Sequence, residues 1–251
     1  MTSPLAIVIL AAGKGKRMTN PELPKVMHPV GGKPMVDYVI DLASKLNPQV
    51  TLVVVGWNKE VLVQHLSTLS QPLTCVEQSE QLGTGHAVLQ TEDALKEFEG
   101  DILVLSGDVP LLVESTASAL IGYHRTSDAV ATILTAEVSD PSGYGRIIRT
   151  KDGNVKKIVE DKDATKKEKE VREINSGIYV FKKANLFEPI RQLERNNVQG
   201  EYYLTDVFEH FLRNKWQVSA VKALDAFEIT GINDADQLQR AEKILLLRSA
   251  T

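Results

Sequence analysis

The stretch LAIVILAAGKGKRM, residues 5 to 18, decides the fold that the sequence predicts. Its apolar run from Leu5 to Ala12 is typical of a strand that is covered on both faces, as in parallel sheets. The run passes into a loop with Gly13 and Gly15 whose backbone N–H groups and cations can bind a phosphate. The loop matches neither the dinucleotide-binding fingerprint nor the Walker A motif. Alone, it is compatible with a phosphate-binding loop or a solvated turn.

The first half of the chain alternates strand-like and helix-like segments. Further apolar runs at 51–55, 73–77 and 101–106 predict strands, and apolar residues at helical spacing over 35–46 and 87–98 predict helices between them. Strands that alternate with helices in this way predict parallel pairing. The first half is therefore predicted to form an α/β unit.

From Asp128 onward, strand-like segments follow one another with turns between them. We expect strands within 129–138, 145–150, 154–160, 174–181 and 217–223, a polar loop or short helix over 160–173, and helices near 204–214 and 234–247. No internal repeat or linker interrupts this order, so we predict a single domain over 1–251. Its nucleotide-binding half covers 1–127, and a strand-rich sugar-phosphate-binding half covers 128–251. The fold class is a mixed, mostly parallel, Rossmann-like three-layer α/β sheet.

Composition excludes several classes of function. The 29 Lys and Arg against 33 Asp and Glu give a net charge of −4, which argues against nucleic acid as a partner. The single cysteine, Cys75, is expected to be a buried filler, and the five histidines are not at metal-ligand spacing. The apolar run from Leu5 to Ala12 is too short for a membrane span, and its basic residues follow the run, whereas those of a signal peptide precede it. We expect a cytoplasmic protein with no membrane partner, and the oligomeric state is left open.

Four further segments carry residues that could do chemistry. Lys25 follows a proline that restricts where its amine points. Gln78 and Gln81 can donate and accept hydrogen bonds at a nucleobase edge, although the glycine-flanked Thr84 nearby could simply cap a helix. Asp108 ends the fourth strand, where a carboxylate is suited to Mg²⁺ but also to a plain turn. An Asn at the start of the last helix, residue 233, would ordinarily be its N-cap.

Taken together, eight ordered segments resemble the sugar-1-phosphate nucleotidyltransferases, and most closely the N-acetylglucosamine-1-phosphate uridylyltransferases. The segments are LAAGKGKRM, LPKVMHPVGGKPM, EQLGTGHA, GDVPLL, GYGRI, INSGIYVF, QGEYYLTD and GINDADQL, and they span nearly the whole chain. Lys16 and Ser106 depart from the residues usual in that family. The resemblance implies the nucleotide-diphospho-sugar transferase type of sheet, with the strand-rich segment as a sugar-binding insertion.

The resemblance also implies roles for residues that match the family's motifs. Arg17 and Lys25 would hold phosphates as catalytic residues, and Asp108 with Asn233 would bind Mg²⁺. The nucleotide would be surrounded by Leu10, Ala12, Gly13, Lys14, Gln78, Gln81, Gly83 and Thr84. The sugar phosphate would be lined by Gly145, Glu160, Asn175, Tyr203 and Thr205.

The implied reaction joins UTP and N-acetylglucosamine-1-phosphate into UDP-N-acetylglucosamine, a cell wall precursor, and releases pyrophosphate. Related possibilities are another nucleotide or glucose-1-phosphate as substrate, or a non-catalytic protein that binds sugar nucleotides. Relatives in this family continue into a hexapeptide-repeat acetyltransferase domain, and the chain has no such repeats up to Thr251. We therefore expect no acetyl transfer and no trimer built through that domain.

Overall fold

The computed structural model describes residues 3–15, 17–18 and 20–249, without the side chain of the last of these. Its strands are β1 Leu5–Leu10, β2 Pro29–Val30, β3 Lys33–Pro34, β4 Val50–Val55, β5 Thr74–Glu77, β6 Asp101–Ser106, β7 Ala131–Glu137, β8 Arg146–Arg149, β9 Val155–Val159, β10 Glu173–Lys182 and β11 Val218–Lys222. Its α-helices are α1 Met35–Lys45, α2 Lys59–Leu66, α3 Thr84–Leu89, α4 Glu114–Thr126, α5 Lys166–Lys169, α6 Lys183–Arg191, α7 Val207–Arg213 and α8 Ala235–Ser249.

A mixed sheet runs through the middle of the molecule in the order β11-β7-β10-β6-β1-β4-β5. β1 pairs in parallel with β4 and β6, and β4 pairs in parallel with β5, as the alternating pattern predicts. β10 lies antiparallel between β6 and β7, and the β8–β9 hairpin branches from β10. The sheet is thus continuous from the first half of the chain into the second.

Helices cover both faces of this sheet because its central strands are apolar on both. Ile7 and Ile9 of β1 pack into a core with α1, α2 and α4, whereas Ala6 and Val8 pack into a second core with α3, α6 and α7. A smaller cluster joins α8 to the β2–β3 hairpin. The mixed, mostly parallel three-layer fold predicted from the sequence is confirmed.

The structure corrects two local predictions. The helix expected over 87–98 ends at Leu89 and is followed by a 3₁₀ turn, Asp93–Leu95, although Thr91 and Leu95 are buried as the spacing predicted. Cys75 was expected to be buried, but it is exposed because β5 is the edge strand of the sheet. An apolar run at an edge is covered less completely than the same run at the centre.

The direction of the strands brings several chain segments to one edge of the sheet. β1 and β6 end at this edge, and β10 begins there because it runs antiparallel to β6. A register irregularity between Asn175 and Tyr179 bends β10, and Gly177 in the bend has φ of +78°. A Cβ atom at Gly177 would lie 3.1 Å from Ser106 Oγ at the end of β6. The bend therefore brings the start of β10 against the end of β6.

Candidate functional site

Two cavities open side by side at this edge of the sheet. The first, about 570 Å³, is lined by the glycine loop after β1 together with Lys25, Gln78, Gln81, Gly83 and Glu201. The second, about 310 Å³, is lined by the start of β10 and by segments around 143–145, 204–205 and 231–233. They share Leu10, Thr84, Ser106 and Asp108, so they meet at the ends of β1 and β6. A ligand that extends from one cavity into the other passes Asp108.

The first cavity contains the whole set of nucleotide residues named from the motifs. It is lined by Leu10, Ala12, Gly13, Lys14, Gln78, Gln81, Gly83 and Thr84. Gln78 is buried, and its Nε2 lies 3.0 Å from Gly83 O, while Gln81 Nε2 donates to Gln78 O at 3.0 Å. These bonds fix both amides at the cavity wall, where each retains a carbonyl oxygen that can accept a hydrogen bond from a ligand.

The wall of the first cavity is made by two motifs that hold each other. Tyr202 N donates to Leu82 O at 2.7 Å, and Gly85 N donates to Tyr202 O at 2.8 Å. Thr84 Oγ1 accepts from Leu204 N at 3.0 Å, so its hydroxyl does not cap the helix that begins there. Gly83 has φ of +112°, and a Cβ atom there would lie 2.5 Å from Tyr202 O. The QLGTGHA and QGEYYLTD segments therefore need glycine at their contact.

The second cavity is lined by side chains that bond to one another. Thr205 Oγ1 donates to Glu160 Oε1 at 3.0 Å, and Asn175 Nδ2 donates to Tyr179 Oη at 2.7 Å. Burial raises the pKa of Glu160, the hydrogen bond from Thr205 lowers it, and three neighbouring aspartates raise it. Gly145 lies beside Glu160, because a Cβ atom there would be 3.4 Å from Glu160 Oε2. The cavity offers fixed polar groups to a hydroxylated ligand.

Two residues named from the motifs lie elsewhere. Tyr203 does not line the second cavity: its Oη donates to Asp163 Oδ2 at 3.2 Å, and the residue lines an adjoining acidic cavity of about 460 Å³ that shares Glu160 with the second. The reason is the pairing of 202–204 with 82–85, which sets the direction of the chain there. Arg17 is exposed in a turn after the glycine loop and lines neither of these two cavities. Lys16, which departs from the family pattern, lies outside the described residues.

Asp108, Asn233 and Lys25 meet where the two cavities join. Lys25 Nζ donates to Asp108 Oδ2 and, at 2.7 Å, to Asn233 Oδ1. The backbone holds the two oxygens in register, because Ile232 N donates to Asp108 O at 2.9 Å. Asn233 Nδ2 donates to Gly231 O at 3.0 Å, which turns the amide oxygen toward Lys25. Residues that are far apart in the sequence thus converge on one point.

Asn233 is available for this contact because its neighbour caps the last helix. Asp234 Oδ1 accepts from Gln237 N at 2.9 Å, which is the bond of an N-cap residue. The capping role that the pattern would ordinarily assign to Asn233 therefore belongs to Asp234.

The chemistry of this pair fits a divalent cation. A carboxylate and an amide oxygen are hard donors of the kind that Mg²⁺ takes, with water and phosphate completing its shell. The two oxygens already bind a cation, the Lys25 ammonium, with side chains only 15% and 20% exposed for Lys25 and Asp108. Among the described residues no cluster of three or more His, Cys, Asp or Glu could hold a metal by itself. A metal here would be bound jointly by the protein and an anionic ligand.

Comparisons with known proteins agree with this architecture. Residues 6–231 match the family model described as nucleotidyl transferase. The chain is 48% identical over 97% of its length to "Bifunctional protein GlmU" of Pelotomaculum thermopropionicum, and 48% identical over 96% of its length to the protein of that name from Streptococcus mutans. It spans about half, 52%, of the length of each of these relatives.

Solved structures with similar folds lead in the same direction. A UDP-glucose pyrophosphorylase complexed with UDP-glucose superposes with a TM-score of 0.77 at 20% identity, covering 99% of this chain and 100% of that one. A putative glucose-1-phosphate thymidylyltransferase from Bacillus anthracis gives a TM-score of 0.75 at 20% identity over 96% and 94% of the two chains. In the described part of this chain no helix is both long and apolar enough to span a membrane. With a family model matched over most of its length and the corresponding fold, the chain belongs to the nucleotidyl transferase family.

Proposed function

We propose that the chain is a uridylyltransferase that forms UDP-N-acetylglucosamine and pyrophosphate from UTP and N-acetylglucosamine-1-phosphate with Mg²⁺. The observation that carries this proposal is the junction of the two cavities at Asp108, with Lys25 and Asn233 beside it. A nucleotide in the first cavity and a sugar phosphate in the second would bring their phosphates together at this junction. The choice of UTP and of the N-acetylated sugar rests on the resemblance of the eight ordered motifs.

The reaction needs no general base. A phosphate monoester has a second pKa near 6, so the attacking oxygen is mostly ionised at neutral pH. That oxygen forms a bond to the α-phosphorus of UTP, the bond from this phosphorus to the bridging oxygen breaks, and pyrophosphate leaves with the electron pair. The barrier lies in bringing two anions together and in stabilising the leaving group.

The residues at the junction have complementary tasks in this reaction. Lys25, which lines the first cavity, binds phosphate oxygens as charge develops there, and Arg17 adds positive charge from the loop. Asp108 and Asn233 would hold Mg²⁺, which when bound supplies charge neutralisation and orients the phosphates. Glu160, Asn175 and Thr205 orient the sugar through their hydrogen-bonding groups.

The base of the nucleotide is held by the two glutamines in this proposal. Uracil presents one N–H between two carbonyl groups, whereas cytosine presents an unprotonated ring nitrogen and an amino group at the same edge. The amide nitrogens of Gln78 and Gln81 are engaged within the protein, which leaves their oxygens for a donor such as the uracil N–H. The cytosine amino group is a donor as well, so the preference for uracil rests on the resemblance of the motifs.

A pyrophosphate-release assay with Mg²⁺ tests the proposal. UTP with N-acetylglucosamine-1-phosphate should give the highest kcat/KM, above CTP, GTP or dTTP and above UTP with glucose-1-phosphate. Asp108→Asn is the matched inactive control. Equal rates with glucose-1-phosphate would replace the proposed sugar, a preference for another nucleotide would replace UTP, and binding without pyrophosphate release would indicate a non-catalytic protein.

A further inference from the structure

The ammonium group of Lys25 occupies the place between Asp108 and Asn233 where a divalent cation would take its two protein ligands. Its Nζ donates to Asp108 Oδ2 and to Asn233 Oδ1, the same atoms that suit Mg²⁺. A metal ion bound to these two oxygens and an ammonium bound to the same two oxygens are mutually exclusive. The Lys25 ammonium therefore competes with the metal ion for the oxygens of Asp108 and Asn233.

We propose that Lys25 and the divalent cation exchange at the Asp108–Asn233 pair, so that metal binding displaces the lysine head toward the nucleotide phosphates. This inference rests on the metal site of the proposed function and adds a second task for Lys25. Before the metal binds, the Lys25 ammonium occupies the metal position; after the exchange, it binds the nucleotide phosphates.

The chain around Lys25 fixes the base of the side chain, but it leaves the ammonium group room to turn in a second direction. Gly15, with φ of +67°, packs so closely that a Cβ atom there would lie 2.8 Å from Lys25 Cβ. Lys25 begins a 3₁₀ turn, and its carbonyl oxygen lies 3.1 Å from His28 Nδ1. The backbone is held on both sides, so an exchange needs only rotation of the outer side-chain torsions.

The second direction leads into the first cavity. Lys25 lines that cavity along with Gly13 and Lys14 of the loop, the part suited to phosphate. A metal that arrives with a triphosphate supplies both the cation for Asp108 and the anion for the released ammonium. Asp108 then pairs with the metal ion, and the Lys25 ammonium pairs with the triphosphate. A metal ion that arrives alone must break the Lys25 contacts without giving the ammonium a new partner.

The exchange predicts that removing Lys25 strengthens metal binding in the absence of nucleotide. Lys25→Met keeps the length of the stem and removes the charge and the contacts. Titration of Mn²⁺ into the nucleotide-free protein, with free Mn²⁺ measured by electron paramagnetic resonance, should give an affinity at least about tenfold higher in Lys25→Met than in the unmodified chain. Asp108→Asn, added to either form, should abolish this binding.

A matched control separates displacement from a general effect of charge. Lys14 is a cation of the same cavity whose Nζ lies 5.2 Å from the centre of the Trp57 ring and not between the two oxygens. Lys14→Met should raise the Mn²⁺ affinity by less than about threefold, as expected of a more distant exposed charge. Thermal unfolding of each variant, followed by circular dichroism, checks that the fold is retained.

Three results would overturn the exchange. They are an Mn²⁺ affinity in Lys25→Met equal to or below that of the unmodified chain, an equal gain in Lys14→Met, and binding that survives Asp108→Asn. The first two leave the proposed function standing if pyrophosphate is still released, because the metal can then bind beside Lys25. The third removes the metal site itself and with it the ligand assignment of the proposed function.

Discussion

The two cavities that meet at Asp108 are built in different ways. Backbone and small side chains form much of the wall of the first, among them Ala12, Gly13 and Gly83. The second is bounded by polar side chains that bond to one another, as Thr205 does to Glu160 and Asn175 to Tyr179. The wall of the first cavity depends on close backbone contacts, whereas the wall of the second depends on hydrogen bonds between side chains.

This difference predicts how each cavity fails. A wall made of close backbone contacts is sensitive to added volume, because the chain has no room to move away. A polar network is sensitive to the loss of a single donor or acceptor, which leaves its partner unsatisfied. Between them, the junction depends on charge, where one substitution should affect both ligands.

Asp108→Asn should have the largest effect, because the junction serves both cavities. We expect turnover to fall by at least about a hundredfold, in line with the loss of a preorganised electrostatic group. Pyrophosphate release at saturating substrates and Mg²⁺ measures this. Asp152→Asn, in the exposed turn after β8, is the control and should retain full turnover. Near-normal turnover in Asp108→Asn would show that the reaction does not need the charge of this residue.

Two alanine substitutions in the first cavity should have different effects, one on the free energy of unfolding and the other on the affinity for UTP. In Gly83→Ala the new Cβ meets Tyr202 O and the positive φ is strained, so we expect a loss of about 1–3 kcal/mol in the free energy of unfolding. In Gly13→Ala nothing lies within 4 Å, so stability should hold while the methyl group lowers the affinity for UTP. Urea unfolding and UTP titration measure the two quantities.

Equal stability of the two glycine variants would contradict the contact between the 82–85 and 202–204 segments. Unchanged UTP affinity in Gly13→Ala would place the nucleotide away from the loop.

The sequence predicts the sheet well because its central strands are long, apolar and buried on both faces, as in β1 and β6. The same signal misled at β5, since an apolar run does not say whether a strand lies at an edge, and Cys75 is exposed for that reason. The break after Leu89 was missed because Thr91 and Leu95 are buried at helical spacing without belonging to one helix. Burial pattern is thus easier to predict than chain continuity.

The motifs named the eight nucleotide residues that line the first cavity and four of the five residues proposed for the second, but they did not indicate the contacts between these residues. The spacing of Lys25, Asp108 and Asn233 does not indicate that the Lys25 ammonium lies between the oxygens of the other two residues, because this position depends on the tertiary packing of α8. The direction of Tyr203 depends in the same way on a pairing between distant segments. A sign of the Asn233 contact was present in the sequence, since the adjacent Asp234 could cap the helix instead.

Removing one hydroxyl from the second cavity should give a smaller and one-sided effect. Thr205→Val removes the donor to Glu160 Oε1 and keeps the shape, so the KM for the sugar phosphate should rise about tenfold, as for the loss of about 1.4 kcal/mol. The KM for UTP should stay within about twofold. Thr205→Ser, which keeps the hydroxyl, is the matched control. A rise in both KM values would mean that the two cavities are not independent.

The smallest expected effect is a pH dependence confined to the second cavity. Because burial and nearby aspartates raise the pKa of Glu160, its carboxylate gains a proton at a higher pH than that of an exposed glutamate. If the ionised form accepts hydrogen bonds from the sugar, the KM for the sugar phosphate should rise as the pH falls through this raised pKa, while the KM for UTP changes less. The phosphate of the substrate also titrates near pH 6, so Glu160→Gln is needed as the comparison. The part of the pH dependence that this variant loses belongs to Glu160, and an identical profile in both proteins would assign the whole dependence to the substrate.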